Sequence, residues 1–127
     1  MSIKQAVASD LSTVKKISAI TISEIYPYYY PKGAVDFFLA HHSEDNIMKD
    51  IERNRVFLCL DGSRNAVGTV TIKKNEISRL FVLPSYQGMG YGTEIWMWNL
   101  IELLWEIRNF YAMMLWKRDY RWKREEL

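Results

Sequence analysis

The chain has 127 residues, 49% of them hydrophobic and 25% charged, and these values are typical of a single globular domain. Its formal net charge of +2 argues against a nucleic-acid partner, because the basic residues near the C terminus are interrupted by acidic ones. The most apolar stretch, residues 95–107, carries Asn99, Glu102 and Glu106 and falls short of the roughly 20 apolar residues of a membrane span. No apolar leader follows Met1, so we expect a cytoplasmic protein without a membrane partner.

The first half of the chain predicts one short strand and two helices. Residues 3–7 suit a strand, and Asp10 is a candidate N-cap for a helix over residues 11–25, where apolar residues recur at near-helical spacing. Pro27 and Pro31 then bracket a tyrosine-rich loop. Residues 33–51 suit a second helix, with a break near His42 as an alternative.

The middle of the chain predicts an antiparallel meander. Residues 55–60, 67–72 and 76–83 are short apolar or β-branched runs, and turn residues separate them. Parallel neighbours would need crossovers of a dozen residues, so the short turns require antiparallel pairing. A long apolar helix follows from Thr93, with Ile95, Trp98 and Trp105 on one face.

A glycine-rich turn joins the third meander strand to this helix. Gly88, Gly90 and Gly92 alternate with other residues just before the helix begins. The first amides of a helix have no internal partners and carry partial positive charge, and glycines let a ligand approach the backbone closely. This arrangement predicts a phosphate or pyrophosphate site. The spacing is neither the dinucleotide fingerprint nor the P-loop.

The segment Gln87-Gly88-Met89-Gly90-Tyr91-Gly92 resembles the coenzyme A signature of the GNAT N-acetyltransferase superfamily, Gln/Arg-x-x-Gly-x-Gly/Ala. The order of strand, two helices and three meander strands extends the resemblance over residues 1–92 of a single domain, 1–127. It implies an α/β fold of the α+β type, with a mainly antiparallel sheet flanked by helices. It also implies acetyl-CoA as co-substrate, a primary amine as acceptor and no metal.

The resemblance assigns binding roles to two segments. The backbone groups of Phe81 and Val82 would pair with the pantetheine arm as an added strand does. The phosphates would be held by Gln87, Gly88, Met89, Gly90, Tyr91, Gly92 and Thr93.

Glu76 opens the same predicted strand, where some GNAT members place their general base. An amine with a pKa near ~10 must lose a proton before it attacks a thioester, and a carboxylate could accept that proton directly or through water. An exposed acid beside the Lys73-Lys74 turn is the equally open alternative.

Other polar and aromatic residues have weaker interpretations. Cys59 is the only cysteine, so no internal disulfide forms, and in mid-strand it is a poor nucleophile. His41 and His42 are adjacent in a predicted helix and point in different directions, which disfavours a shared metal ion. They suit a helix end or a loop at an acceptor pocket, and the tyrosines around Tyr28 suit either that loop or a packed lid.

Residues 93–127 diverge from the GNAT plan. Only 35 residues follow Gly92 (127 minus 92), whereas the family usually adds a fifth strand, a helix and two more strands. Matching residues 109–116 to the family's fourth helix puts Trp116 where a tyrosine often protonates the departing thiolate, and Tyr111 and Tyr120 are the alternative proton donors. Alternatively, one long helix presents tryptophans that need a partner, and we expect a homodimer.

Three hypotheses therefore stand. The first is an N-acetyltransferase. The second is a catalytically degenerate module that keeps the coenzyme A site, and the third is an interaction protein that dimerises through its Trp-rich helix.

Overall fold

The structure is a computed structural model that describes residues 2–74 and 76–107. The strands are β1 (Ser2–Gln5), β2 (Val56–Leu60), β3 (Ala66–Lys73) and β4 (Glu76–Val82). The helices are α1 (Leu11–Ile25), α2 (Lys32–His41), α3 (Glu44–Glu52) and α4 (Tyr91–Ile107). Each helix in this part of the chain is too short or too polar to cross a membrane.

The four strands form one antiparallel sheet in the order β1-β2-β3-β4. This confirms the predicted meander and the α/β fold class with a mainly antiparallel sheet. Within residues 2–74 and 76–107, β4 pairs with β3 alone. The other edge of β4 therefore presents backbone groups that no described strand uses. The expected lack of further strands concerns residues 108–127, which lie outside the described residues.

Strand β2 sets the two hydrophobic layers because it is buried along its whole length. Val56, Leu58 and Leu60 face the layer that α1, α2 and α3 cover, where Ile17, Ile22 and Ile47 are also buried. Phe57 and Cys59 face the opposite layer, where α4 packs through Ile95 and Trp98. The predicted apolar face of α4 is thus confirmed for these two positions.

The second predicted helix is interrupted at residues 42 and 43, which confirms the alternative of a break near His42. Ser43 is extended, and its Oγ accepts a hydrogen bond from the Asn46 amide at 3.3 Å, which starts α3 as a separate helix. The Lys15 ammonium donates to the His42 carbonyl at 2.9 Å. This break turns the chain so that α3 packs beside α1.

Asp10 stands at the N-cap position of α1, as predicted, but its side chain does not cap this helix. The residue is itself helical, and its carboxylate accepts from the Val7 amide at 2.9 Å and from the Lys4 ammonium at 3.3 Å. A 3-10 turn over Ala8–Asp10 runs directly into α1, so the carboxylate caps that turn instead.

A β-bulge at Ser78 decides which side chains of β4 face each layer. Thr71 pairs with Arg79 and Ile72 with Ile77, which leaves Ser78 as the extra residue. Phe81 consequently lies in the layer of α1–α3, whereas Ile77, Leu80 and Val82 pack in the layer of α4.

Candidate functional site

A cavity of about 360 Å³ opens where β4 ends and α4 begins. The residues around it come from the end of the strand, the turn and the first turn of the helix. They are Leu80, Val82, Tyr86, Gln87, Gly88, Gly90, Tyr91, Gly92 and Thr93.

The glycine turn directs free amides of α4 into this cavity. Gly88 and Gly90 have φ angles of 78° and 88°, a region that favours glycine. The amide of Glu94 donates to the Gly90 carbonyl at 3.0 Å as the first bond of the helix. The amides of Tyr91, Gly92 and Thr93 precede that bond and have no partner inside the helix.

The space above these amides is open. A Cβ added at Gly88, Gly90 or Gly92 would meet no atom within 4 Å. An anion could therefore approach the backbone here, where the helix dipole favours negative charge.

The backbone of Val82 faces the open edge of β4. The Leu83 amide donates to Val67 in β3 at 2.8 Å, so Leu83 faces β3, and facing alternates along a strand. The Val82 carbonyl correspondingly accepts from the Gln87 side-chain Nε2 at 2.9 Å rather than from β3. By the same alternation Leu80 faces the edge, and Phe81 faces β3.

The structure brings together all the predicted binding residues except Phe81 and Met89. The Phe81 side chain is buried in the layer of α1–α3, and its backbone faces β3. The Met89 side chain is 64% exposed and does not line the cavity. Sequence reasoning missed Leu80 and Tyr86. Alternation along the strand would have selected Leu80 once the edge-facing register was known.

Among the described residues that line the cavity, none has a charged side chain. The nearest acid in the sequence is Glu94, in the first turn of α4. An anion bound here would rely on backbone amides and the helix dipole, opposed in part by the Glu94 carboxylate.

Glu76 lies at the opposite end of β4 from the glycine turn. It is exposed and pairs in register with Lys73. Glu76 and Val82 are six positions apart, which is roughly 20 Å along an extended strand. The cavity and Glu76 thus mark the two ends of one open strand edge.

Comparison with known proteins assigns this arrangement to a family. The sequence model of the "Acetyltransferase (GNAT) family" matches residues 21–121. The chain belongs to the GNAT acetyltransferase family. The resemblance that the glycine turn predicted is thereby confirmed. No curated protein matches the chain in a separate sequence comparison.

Several solved structures share this fold. The PaiA N-acetyltransferase from Thermoplasma acidophilum in complex with coenzyme A superposes with a TM-score of 0.61 at 18% identity, covering 75% of this chain and 66% of that one. A GCN5-related N-acetyltransferase from Rhodopseudomonas palustris gives 0.64 at 20% identity, with 84% and 64% covered. Apo YjaB from Escherichia coli gives 0.58 at 13% identity, with 77% and 63% covered. The match spans slightly less than two thirds of each of those chains.

The helical layer of this GNAT domain holds a second polar feature behind β4. All six polar side chains that are buried in the described part of the chain lie in the layer of α1–α3. They are Ser18, Thr21, His42, Asp50, Thr69 and Thr71. Thr21 Oγ1 and His42 Nε2 are buried and form no hydrogen bond with any described residue. Such atoms are uncommon in folded proteins and indicate a bound water or a functional role.

Burial changes the acidity of three side chains in this domain. It lowers the pKa of His42, and the charges of Arg79, His41 and Lys15 lower it further, against a hydrogen bond to Phe38 that raises it. Burial raises the pKa of Tyr26, with a smaller contribution from Tyr30. Burial also raises the pKa of the Cys59 thiol to about 12, so the thiol stays protonated at neutral pH. This agrees with the prediction that Cys59 is a poor nucleophile.

We expect His42 to make the domain less stable in mild acid. The unfolded chain should titrate this side chain near ~6.5, whereas the folded pKa is lower, so the unfolded state binds the proton first as the pH falls. The free energy of unfolding should therefore fall below about pH 6.5 and level off once the folded pKa is passed. Urea unfolding of the parent and of His42→Gln between pH 7.5 and pH 5 checks this.

The difference in unfolding free energy between the parent and His42→Gln should shrink as the pH falls. His41→Gln, which changes the exposed neighbouring histidine, is the control and should follow the parent. A constant difference for His42→Gln across this range would show that His42 has the same pKa in both states.

Proposed function

We propose that this chain binds acetyl-CoA and transfers its acetyl group to a primary amine. The observation that supports this most is the continuous path formed by the open edge of β4 and the free amides at the start of α4. A ligand with a phosphate at one end and an amide-bearing arm fits this path, because the amides attract the phosphate and the strand edge pairs with the arm.

Different residues of this chain would bind different parts of acetyl-CoA. The amides of Tyr91, Gly92 and Thr93 would hold the pyrophosphate, and Gln87, Gly88 and Gly90 would shape the turn around it. Leu80 and Val82 would offer edge-facing backbone groups to the pantetheine arm. For Met89 in phosphate binding and for Phe81 in pantetheine binding, the family resemblance is the only support. The related PaiA structure from Thermoplasma acidophilum holds coenzyme A.

Glu76 is the proposed proton acceptor. A neutral amine would attack the thioester carbonyl, a C–N bond would form and the C–S bond would break, with the thiolate leaving. Glu76 would take the amine proton, directly or through water. Transfer would be direct, since Cys59 is buried and its thiol stays protonated. Trp116, Tyr111 and Tyr120, which concern the proton for the thiolate, lie outside the described residues.

Replacing Gly92 with valine should weaken coenzyme A binding at least tenfold. The added side chain would occupy the open space over the α4 amides and cost charge-assisted hydrogen bonds of about 1.5–3 kcal/mol each. Gly92 does not have a positive φ, so this change avoids the backbone strain that a substitution of Gly90 would cause. Calorimetric titration with coenzyme A measures the effect.

Gly33→Val is a matched control for Gly92→Val. Gly33 is also the second residue of a helix, with open space where its Cβ would stand and without a positive φ. It should bind coenzyme A as the parent does and keep the rise in Tm that the ligand produces. Equal affinities for the two variants would place the phosphates away from α4.

Glu76→Gln should lower the rate of acetyl transfer about 100-fold, most strongly near neutral pH, with coenzyme A affinity nearly unchanged. The amide keeps the shape of the side chain but cannot accept the proton. Turnover is measured across a panel of primary amines, with Glu52→Gln, an exposed acid at the end of α3, as control. If Glu76→Gln and the parent react at the same rate, another group accepts the proton. Binding without turnover by the parent would favour the degenerate module.

We also propose that the chain forms a homodimer. Trp96 is 54% exposed and Met97 37% exposed on α4. Burial of such side chains in an interface contributes about 25 cal/mol per Å².

Light scattering at micromolar concentration should therefore give twice the 15.1 kDa chain mass. Trp96→Glu should shift the protein toward the monomer, whereas Phe37→Glu, on an exposed aromatic residue of α2, should leave the mass unchanged. A parent protein that is monomeric would contradict the proposal and the interaction hypothesis with it.

A further inference from the structure

A second, much smaller cavity lies directly behind β4 in the layer of α1–α3. Its volume is about 10 Å³, which is room for one water molecule. Its polar lining comes from α1 (Ser18), the end of α2 (His42), β3 (Thr69 and Thr71) and β4 (Arg79). A buried water needs two to four polar partners, and this lining provides them.

The hydrogen bonds around the cavity require a donor. His42 Nδ1 lies 2.7 Å from the Phe38 carbonyl, which can only accept, so Nδ1 carries the proton and neutral Nε2 is an acceptor. The Ser18 hydroxyl donates to the Val14 carbonyl at 2.8 Å, and the Thr69 hydroxyl donates to the Phe57 carbonyl at 3.1 Å. Both hydroxyls therefore turn lone pairs toward the cavity.

One water molecule satisfies this pattern. It would donate one hydrogen to His42 Nε2 and the other to Ser18, and it would accept from Thr71 and from the Arg79 guanidinium. The otherwise unpartnered Nε2 atom would gain its bond, and four structural elements would meet at one point.

Arg79 and Phe81 are the β4 residues that line this cavity, and both also contact residues outside β4. The Arg79 Nη2 lies 3.2 Å from Asp50, a carboxylate in α3 that also faces Lys73 at 3.5 Å and Arg55 at 4.0 Å. The ring of Phe81 packs edge-on against the ring of His42, with centroids 5.1 Å apart. Because no described strand pairs with its outer edge, β4 depends on these contacts for its position.

We propose that His42 is a positioning residue of the coenzyme A site: through one water in the cavity behind β4, it fixes Arg79 and Phe81 and thereby the strand edge that Leu80 and Val82 present. The proposal rests on the proposed function for its effect on coenzyme A. The water and its effect on β4 do not depend on that function.

Three single variants test the role of His42. His42→Phe keeps a ring against Phe81 but removes the acceptor for the water. His42→Gln restores an oxygen acceptor near the position of Nε2. His41→Phe makes the same chemical change at the exposed neighbour and is the control. For each we would measure coenzyme A affinity by calorimetry and amide hydrogen exchange of β4 at pH 7.5.

We expect His42→Phe to bind coenzyme A about fivefold more weakly, the effect of losing one buried hydrogen bond. It should also exchange the amides of Phe81 and Arg79 faster than the parent. His42→Gln should recover most of both effects, and His41→Phe should match the parent. If His42→Phe acted only by disturbing the packing around residue 42, His42→Gln would not restore the parent behaviour. Equal loss in His42→Gln and His42→Phe would therefore overturn the proposal, as would parental behaviour of His42→Phe.

Nitrogen-15 spectra of the parent imidazole provide a test that needs no variant to fold. We expect a protonated Nδ1 and an unprotonated, hydrogen-bonded Nε2, together with one water at Nε2 in a high-resolution crystal structure. A protonated Nε2, or no water there, would overturn the proposal. If the parent does not bind coenzyme A, the proposed function fails, and the exchange of β4 in the three variants still decides whether His42 positions the strand.

Discussion

The one-sided pairing of β4 is the constraint on which the rest of the candidate site depends. β3 holds one edge of the strand, and no described strand uses the other, so Leu80 and Val82 keep backbone groups directed outward. The same strand ends in a turn that aims the first amides of α4 into the adjoining cavity. Under the proposed function, an edge that would ordinarily promote aggregation would serve as a binding surface with the phosphate site at its end.

A strand paired on one side needs support from its faces, and the two layers of the domain provide it differently. On the α4 side Leu80 and Val82 pack against an apolar cluster with Ile95 and Trp98. On the other side Arg79 and Phe81 contact buried polar residues, chiefly Asp50 and His42. Hydrogen bonds are directional and apolar contacts are not, so the polar layer fixes the strand position more specifically. Alternation along the strand produces this division, and the bulge at Ser78 places Ile77 on the α4 side as well.

The sequence predicted the elements well because its signals were local. The short turns of the meander, the continuous burial of β2 and the glycine alternation each depend on neighbouring residues, and the structure and the family match confirm the fold that they indicated. The role of Asp10 was wrong because a 3-10 turn competes for the same carboxylate. The polar cavity could not be predicted, because Ser18, His42, Thr69 and Arg79 lie far apart in the sequence and meet only after folding. The bulge likewise depends on the partner strand.

Gln87 belongs to the coenzyme A signature, but its side chain forms a hydrogen bond with the end of β4. Its side-chain amide donates to the Val82 carbonyl at 2.9 Å, at the edge where an extended arm would pair. An arm that used this carbonyl would have to share it with Gln87 or displace Gln87, whereas an arm that used only the Val82 amide would leave it in place. In the second case Gln87 closes the turn, holding the strand end at a fixed distance from the amides of α4. Its exposed position and the lack of charged side chains among the described residues of the cavity lining both favour this shaping role, since the amides themselves would supply the attraction for an anion.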